Sequence, residues 1–216
     1  MRKVKDADTR RIKIKVSGLA RLCDVEWINR MKPDYAAFIF FNSSYRVGVD
    51  QAEYLRKKLA PEIQTVGSFS CLSCWLIADL LGSGMIDAAH IHGDCTPEEM
   101  EQLRHLTDKP LIKTVYIESP ESIRKAQDYP VDYLMYDFRE EEGKSRDQCL
   151  NILLSYGPQK REFFLSDRLC STNLKETLLS IRPYGINFNG PIEKRRKRDP
   201  AQIQKMVREI REMELS

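Results

Sequence analysis

Ser17 is the residue whose position most strongly suggests chemistry. It directly follows the first apolar run of the chain, residues 12–16, and opens the segment SGLAR. Eight such runs, each followed by a segment with helical spacing, occur along the chain, and eight strand-helix units of this kind can close into a barrel. Barrel enzymes carry their catalytic residues at the carboxyl ends of the strands. The position of Ser17 therefore favours a catalytic role over a structural one.

A run of five basic residues at 194–198 is a second candidate for binding chemistry. Such runs occur in nucleic-acid-binding and targeting segments, but between a predicted strand and a capped helix this one is more typical of a solvated loop. A third interpretation fits the order of the elements better. The run follows the eighth predicted strand, so it would lie at the active-site face and could bind an anionic group there.

The cysteines give no comparable site. Cys71 and Cys74 have the spacing of a redox or metal motif, but no second cysteine or histidine pair accompanies them, and helix packing is the favoured interpretation. All six cysteines are scattered through a chain large enough to fold without disulfides, which predicts reduced thiols in a cytoplasmic protein. No motif predicts a metal ion or a cofactor.

Eight strands are predicted from apolar runs bounded by turns. Several of them are continuously apolar, as strands of a parallel sheet are when both faces are covered. The predicted strands are residues 12–16, 35–41, 63–69, 86–91, 111–116, 131–136, 162–165 and 185–188. Their regular alternation with helices predicts an α/β fold, a (β/α)8 TIM barrel. A flavodoxin-like open sheet uses the same units but typically fewer of them.

Helical spacing fills the segments between these strands, and two helix starts are well marked. Thr96 precedes a proline and is followed three residues later by Glu99, and Asp199-Pro200 repeats the cap and the proline. The helices predicted in this way include residues 51–59, 97–106, 120–127, 172–181 and 200–213. No change of composition marks a linker, so residues 1–216 are predicted to form one barrel domain with a short charged extension at residues 1–11.

Composition narrows the class of protein. The chain of 216 residues is 42% hydrophobic and 31% charged, enough to bury one sizeable core. No run approaches the roughly 20 apolar residues of a membrane span, and the charged amino terminus lacks a signal-peptide core, so a cytoplasmic protein without a membrane partner is predicted. A net charge of +3, evenly spread, does not indicate nucleic acid. No feature of the sequence indicates an oligomeric state.

An ordered set of short segments resembles the phosphoribosylanthranilate isomerase family. The segments are KIKVSGLAR at 13–21, FIFF and SSYRV within 38–47, TVGSF at 65–69, HIHGD at 90–94, LIK at 111–113 and RPYGIN at 182–187. No single segment is diagnostic, but their order and spacing are specific. The resemblance runs from about Lys13 to Arg211, nearly the whole chain. It implies a small barrel.

This resemblance implies an Amadori rearrangement in tryptophan biosynthesis. In the family an acid protonates the ribose ring oxygen of N-(5′-phosphoribosyl)anthranilate, so that the ring opens to a Schiff base. A base then removes a proton from sugar C2 to give an enolamine, which relaxes to the 1-deoxyribulose phosphate. The acid is an aspartate at the end of strand six, a position that Asp137 matches. The base is a cysteine at the end of strand one, in a KICGL pattern, and that position is Ser17.

Serine in place of the family's cysteine predicts impaired or altered activity. A thiol has an ordinary pKa of about 8.5, whereas an alcohol is far too weak an acid to supply a conjugate base without a strong partner. Loss of one general base typically costs about 10² to 10⁴ in rate. Cys23 lies six residues further on and is expected to be a small buried residue of the first helix.

Several substrate-binding positions of the family are retained. Arg46 matches the arginine that faces the anthranilate carboxylate, a pairing suited to a guanidinium. His92 matches the histidine at the end of strand four and is expected to form part of the site wall, with His90 where the family has glutamine. Lys15 and Lys113, on strands one and five, fit inward-facing positions of the barrel, where core carboxylates could satisfy them.

The phosphate-binding loops depart most from the family. The usual glycine pair after strand seven is replaced by a segment in which Arg168 could bind phosphate through its side chain. After strand eight, Asn189 and Gly190 stand where the family has its second phosphate loop, with the glycine retained. Arg168, Asn189 and Gly190 are therefore the predicted phosphate-binding residues.

Three functions are open at this point. The first is the isomerase with a small phosphorylated substrate, Asp137 as acid and an unresolved base. The second is a diverged paralogue that binds a sugar phosphate or acts on another phosphorylated substrate. The third is a barrel that contacts protein or RNA through its basic loop.

Overall fold

A computed structural model describes residues 11–70, 73–139, 145–166, 174–189 and 200–214. These residues form eight strands that alternate with helices. The strands are β1 Lys13–Ser17, β2 Tyr35–Ile39, β3 Gln64–Phe69, β4 Ala88–Ile91, β5 Leu111–Tyr116, β6 Tyr133–Asp137, β7 Phe163–Ser166 and β8 Gly185–Asn189. The helices are α1 Leu22–Met31, α2 Val49–Arg56, α3 Cys74–Gly82, α4 Pro97–Leu106, α5 Pro120–Ala126, α6 Arg146–Tyr156, α7 Leu174–Ile181 and α8 Pro200–Glu214.

The strands form a closed parallel barrel in sequence order, which confirms the predicted fold and excludes an open sheet. Closure occurs between the first and last strands, where Lys13 pairs with Gly185 and Ser17 pairs with Asn189. Gly185 is required by this close approach, because a Cβ atom there would lie 2.5 Å from the Lys13 carbonyl oxygen. The closed ring places every strand's carboxyl end at one face of the barrel.

Most predicted boundaries are confirmed to within two residues. Thr96 caps α4 as predicted, its hydroxyl accepting from the Glu99 backbone N–H while the Glu99 carboxylate accepts from that of Thr96. Strand β2 was predicted too long, since it ends at Ile39 although Phe40 and Phe41 continue the apolar run. Both phenylalanines are only partly buried.

Aromatic side chains fill the amino-terminal half of the barrel interior. Phe164 is fully buried there and makes edge-on contacts with Tyr35, Tyr133 and Tyr184, at ring-centroid distances of 5.8, 5.7 and 5.2 Å. A cleft of about 400 Å³, open to solvent and lined in part by Lys13, Asp34 and Glu62, lies beside these rings at the amino-terminal end. The inner core therefore closes this end of the barrel, and a second apolar layer packs the helices against the outside of the strands.

No helix among the described residues has the length and apolar character needed to cross a membrane. The extension predicted at residues 1–11 lies outside the described residues except for Arg11.

Asp34, just before β2, links β1 near the start of the described residues and α8 near their end. Its carboxylate accepts from the Ile14 backbone N–H at 2.9 Å, from Lys13 Nζ at 3.1 Å and from the Arg211 guanidinium of α8 at 3.2 Å. Burial alone would raise the pKa of Asp34, but the hydrogen bond from Ile14 and the Lys13 ammonium bring it below its usual value. Such a carboxylate stabilises the fold while it is ionised.

Asp34→Asn is expected to lower the free energy of unfolding at pH 7 by about 1.5 to 3 kcal/mol, because hydrogen bonds to a charged acceptor are lost. The contribution is fully present above the unfolded-state pKa of about 4 and is lost as pH falls through the lower native value. Urea denaturation at pH 7 and pH 3 would measure it. Glu53→Gln, which removes the exposed partner of Lys57, is the control and should leave stability nearly unchanged, because solvent screens an exposed ion pair. A pH-independent difference for Asp34→Asn would contradict the prediction.

Candidate active site

The inner face of the barrel becomes polar toward the carboxyl ends of the strands. Side chains alternate between the two faces of a strand, so Ser17 lies on the same face as Lys15, and Asp137 on the same face as the inner-core residue Met135. His90 and Asn187 contribute from β4 and β8, and both are fully buried. The barrel thus presents hydroxyl, amine, imidazole, amide and carboxyl groups at the end where barrel enzymes react.

The Lys15 amine is the centre of this polar layer. Its Nζ lies 2.8 Å from Ser17 Oγ, 2.8 Å from Asn187 Oδ1 and 3.3 Å from His90 Nδ1. Ser17 Oγ also donates to Asn187 Oδ1 at 2.9 Å. The ion pairs among the described residues do not include Lys15, so the amine is held by neutral partners.

His90 extends this network toward the rim. Its Nε2 lies 2.8 Å from Thr114 Oγ1 of β5, and the same hydroxyl lies 3.4 Å from Nδ1 of His92. The His90 and His92 rings pack with centroids 4.0 Å apart, and Phe41 covers His92 at 5.0 Å. If His90 Nε2 carries the proton and donates to Thr114, its Nδ1 is the acceptor for Lys15.

Burial determines the charge state of this network. It lowers the pKa of Lys15 from its usual value near 10.5 to about 7. Burial, together with the nearby lysines, also holds the pKa values of His90 and His92 well below their usual range. The two imidazoles are therefore neutral at physiological pH, whereas Lys15 can gain or lose a proton there.

Asp137 ends β6 and is 8% exposed. Its Oδ1 accepts from the Phe138 backbone N–H at 2.9 Å, which orients the carboxyl group at the strand end. Burial and the Asp137 charge both raise the pKa of the neighbouring Tyr116. Arg139 lies above the Tyr116 ring at 4.2 Å and pairs with Asp94 at 3.1 Å, so strands β4, β5 and β6 are linked at the rim.

Of the other predicted site residues, the structure describes Arg46 and the backbone of Asn189. Arg46 lies in the loop after β2, is exposed and forms a backbone bridge with Ile39. The backbone of Asn189 ends β8 and pairs with Ser17. Arg168, Gly190 and the basic run at 194–198 lie outside the described residues.

Three expectations were wrong. Lys15 faces the interior as predicted, but its partners are a hydroxyl, an amide and an imidazole rather than a carboxylate. Lys113 lies between inward-facing Ile112 and Thr114, so it points to the helix layer, where Nζ donates to the carbonyl oxygens of Gly93 and Thr114. Cys23 is exposed on α1 rather than buried.

Sequence reasoning gave no role to His90, Thr114 or Asn187, which complete the network around Lys15. Side chains two residues apart on a strand lie on the same face of the sheet. The strand-end candidates Asn189 and His92 therefore could have pointed to Asn187 and His90. Among the described residues, no three His, Cys, Asp or Glu side chains come together as a metal site.

Comparison with known proteins decides the family. The family model described as N-(5'phosphoribosyl)anthranilate (PRA) isomerase matches residues 14–209. The chain belongs to this family. The match to the PRA isomerase family includes all eight strands except the first residue of β1, and it ends within the last helix.

Relatives and solved structures agree with this assignment. The N-(5'-phosphoribosyl)anthranilate isomerase of Acetivibrio thermocellus is 28% identical over 210 residues, covering 92% of this chain and 95% of its own. The phosphoribosyl anthranilate isomerase of Thermus thermophilus has the same fold, with a TM-score of 0.76, 22% identity and coverage of 94% and 100% of the two chains. Another fold relative is a PRA isomerase in complex with reduced 1-(o-carboxyphenylamino)-1-deoxyribulose 5-phosphate, with a TM-score of 0.76, 18% identity and coverage of 93% and 99%.

The site of this PRA isomerase family member combines two kinds of group. A carboxyl group at the end of β6 can donate or accept a proton, and a hydroxyl at the end of β1 contacts a buried amine whose pKa is near neutrality. A pair of such groups on one barrel face is what an isomerisation with separate protonation and deprotonation steps requires.

Proposed function

We propose that the protein is an N-(5′-phosphoribosyl)anthranilate isomerase that catalyses the Amadori rearrangement of tryptophan biosynthesis. The observation that carries the proposal is the family match over residues 14–209, which extends across the barrel and its site. Cys95 and Cys149 are buried and form no disulfide among the described residues, which fits a cytoplasmic protein.

Asp137 is the proposed general acid. It lies at the end of β6 on the inner face, and in its protonated form it would donate to the ribose ring oxygen. Ser17, at the end of β1, occupies the position of the base that removes the C2 proton. His92 forms part of the site wall, and its neutral ring can donate or accept one hydrogen bond.

Arg168, Asn189 and Gly190 are the proposed phosphate-binding residues. The support is their place in the chain, directly after β7 and at the end of β8, where barrel enzymes bind phosphate. Arg168 would supply a charged side chain where the family uses backbone N–H groups of glycines.

Two measurements test the function. Purified protein is expected to convert N-(5′-phosphoribosyl)anthranilate, generated in situ, with loss of the anthranilate-type fluorescence of the substrate. The gene is expected to restore growth without tryptophan to an auxotroph that lacks the isomerase. If both fail, the serine at position 17 favours the second candidate, a diverged paralogue that binds a sugar phosphate without isomerising this substrate.

Arg46→Ala is expected to raise KM about 10- to 150-fold with a smaller effect on kcat. The reason is that one charged hydrogen bond to the anthranilate carboxylate, worth about 1.5 to 3 kcal/mol, is lost in the ground state and the transition state alike. Steady-state kinetics would measure it. Arg30→Ala on α1 serves as control, because Arg30 is an exposed arginine that donates to the Glu26 carbonyl oxygen on its own helix. An unchanged KM for Arg46→Ala would remove Arg46 from the substrate site.

A further inference from the structure

The proposed isomerase needs a base at the end of β1, and the side chain found there is a hydroxyl. Ser17 is 5% exposed, whereas Lys15 directly beneath it is fully buried. Only Ser17 therefore has surface through which it can touch a substrate. The Lys15 amine, 2.8 Å from Ser17 Oγ, can take part only through that hydroxyl.

The arrangement around Lys15 satisfies the hydrogen bonds of both its protonation states. As an ammonium, Nζ has three donors for Ser17 Oγ, Asn187 Oδ1 and His90 Nδ1, and the Ser17 hydroxyl donates to Asn187 Oδ1. As a neutral amine, Nζ donates to Asn187 and His90 and accepts from the Ser17 hydroxyl. A proton can thus move between Oγ and Nζ without rearrangement of heavy atoms.

We propose that Lys15 and Ser17 form a proton relay that replaces the family's cysteine base, an inference that rests on the proposed isomerase function. Ser17 Oγ takes the proton from sugar C2 while its own proton passes to the neutral Nζ of Lys15. The C2–H electron pair becomes the C1=C2 bond of the enolamine, and the electron pair of the C=N bond returns to nitrogen. In the last step C1 takes up the proton from Lys15 through Ser17 Oγ, while the C2 hydroxyl loses its proton as the C2=O bond forms. That proton restores the acid form of Asp137, so both groups end in the state in which they began.

The surroundings of Lys15 favour this role. The titratable group that faces the amine is His90 of β4, while Asn187 of β8 and Ser17 of β1 complete its contacts. The His92 ring packs against the His90 ring. Asp137 is the last residue of β6 and lies on the same inner face of the barrel. With both imidazoles neutral and no ion pair to a described carboxylate, burial brings the pKa of Lys15 to about 7. At neutral pH a large share of the amine is therefore available as a base.

The main test is the dependence of kcat on pH for the wild type, Lys15→Arg and Lys15→Met. In the wild type kcat should rise with pH through about 7, as the amine becomes neutral, and then level off. Arginine keeps the charge but does not deprotonate, and methionine fills the volume without a base, so both variants should lose about 10²- to 10⁴-fold in kcat together with this rise. Lys13→Met, two residues earlier on the same strand and paired with Asp34, is the matched control and should keep both kcat and profile.

A double variant separates the relay from a structural role of Lys15. A cysteine at position 17 ionises without help, so Ser17→Cys combined with Lys15→Met should recover to within about tenfold of Ser17→Cys alone. A double variant as inactive as Lys15→Met would make Lys15 structural and overturn the relay. The relay is also overturned if Lys15→Arg retains the wild-type kcat and pH profile. If neither the wild type nor Ser17→Cys turns the substrate over while both are folded by circular dichroism, the proposed isomerase function itself fails, and the relay with it.

Discussion

Asp137→Asn is expected to lower kcat by about 10²- to 10⁴-fold, the usual contribution of a general acid. Asparagine has nearly the same shape as aspartate and its amide oxygen can still accept from the Phe138 backbone N–H, so the strand end should keep its geometry. What it lacks is a proton to give to the ribose ring oxygen. The loss should therefore appear in kcat and kcat/KM to the same extent, the pattern of an interaction made only in the transition state.

Steady-state kinetics on Asp137→Asn and Asp132→Asn would check this. Asp132 lies just before β6, at the opposite end of the strand, and accepts from Arg104 and from the Leu111 backbone N–H. Its replacement should lower stability and leave kcat near that of the wild type. An Asp137→Asn protein with wild-type kcat would place the acid elsewhere in the barrel.

Phe164→Ala is expected to lower the free energy of unfolding by about 3 to 5 kcal/mol, the range for removing a large buried aromatic ring. Phe164 is fully buried among Tyr35, Tyr133 and Tyr184, between the barrel interior and the solvent-open cleft at the amino-terminal end. Loss of its ring would leave a void in the inner core, because closure of the barrel holds the surrounding strands in place.

Urea denaturation followed by fluorescence would measure this change. Leu179→Ala is the control, since Leu179 is 59% exposed on α7 and its truncation should change stability by no more than about 0.5 kcal/mol. A change below about 1 kcal/mol for Phe164→Ala would show that the inner core contributes little to stability.

The fold was predictable because the buried strands leave a clear signal. β5 was predicted with its observed bounds, since Leu111 to Tyr116 has apolar or aromatic residues at four of its six positions and lies between turns. The start of α4 was predicted because Thr96 and Glu99 form a local capping box. Errors arose where tertiary structure decides, as in β2, where apolar character continues through Phe40 and Phe41 after strand pairing has ended at Ile39.

The site was less predictable, and the reason is sequence separation. Alternation placed Lys15 in the barrel interior, but its partner Asn187 is 172 residues away and approaches only because β8 pairs with β1. A buried lysine ordinarily calls for a carboxylate partner, and that general expectation was wrong here because the neighbouring inner positions carry an amide and an imidazole. The sequence around Lys15 does not show which neutral side chains will lie beside it once β8 pairs with β1.

The pairing of β1 with β8 has a consequence for how the protein is made. A chain that has emerged from the ribosome only as far as β7 lacks Asn187 and leaves the Lys15 amine in water, where a lysine keeps its ordinary pKa near 10.5 and stays protonated. The proposed base therefore comes into existence only when the last strand docks. Catalytic competence should appear late in synthesis and in a single step. Conversely, local loss of the pairing between β1 and β8 should inactivate the enzyme before the rest of the barrel unfolds.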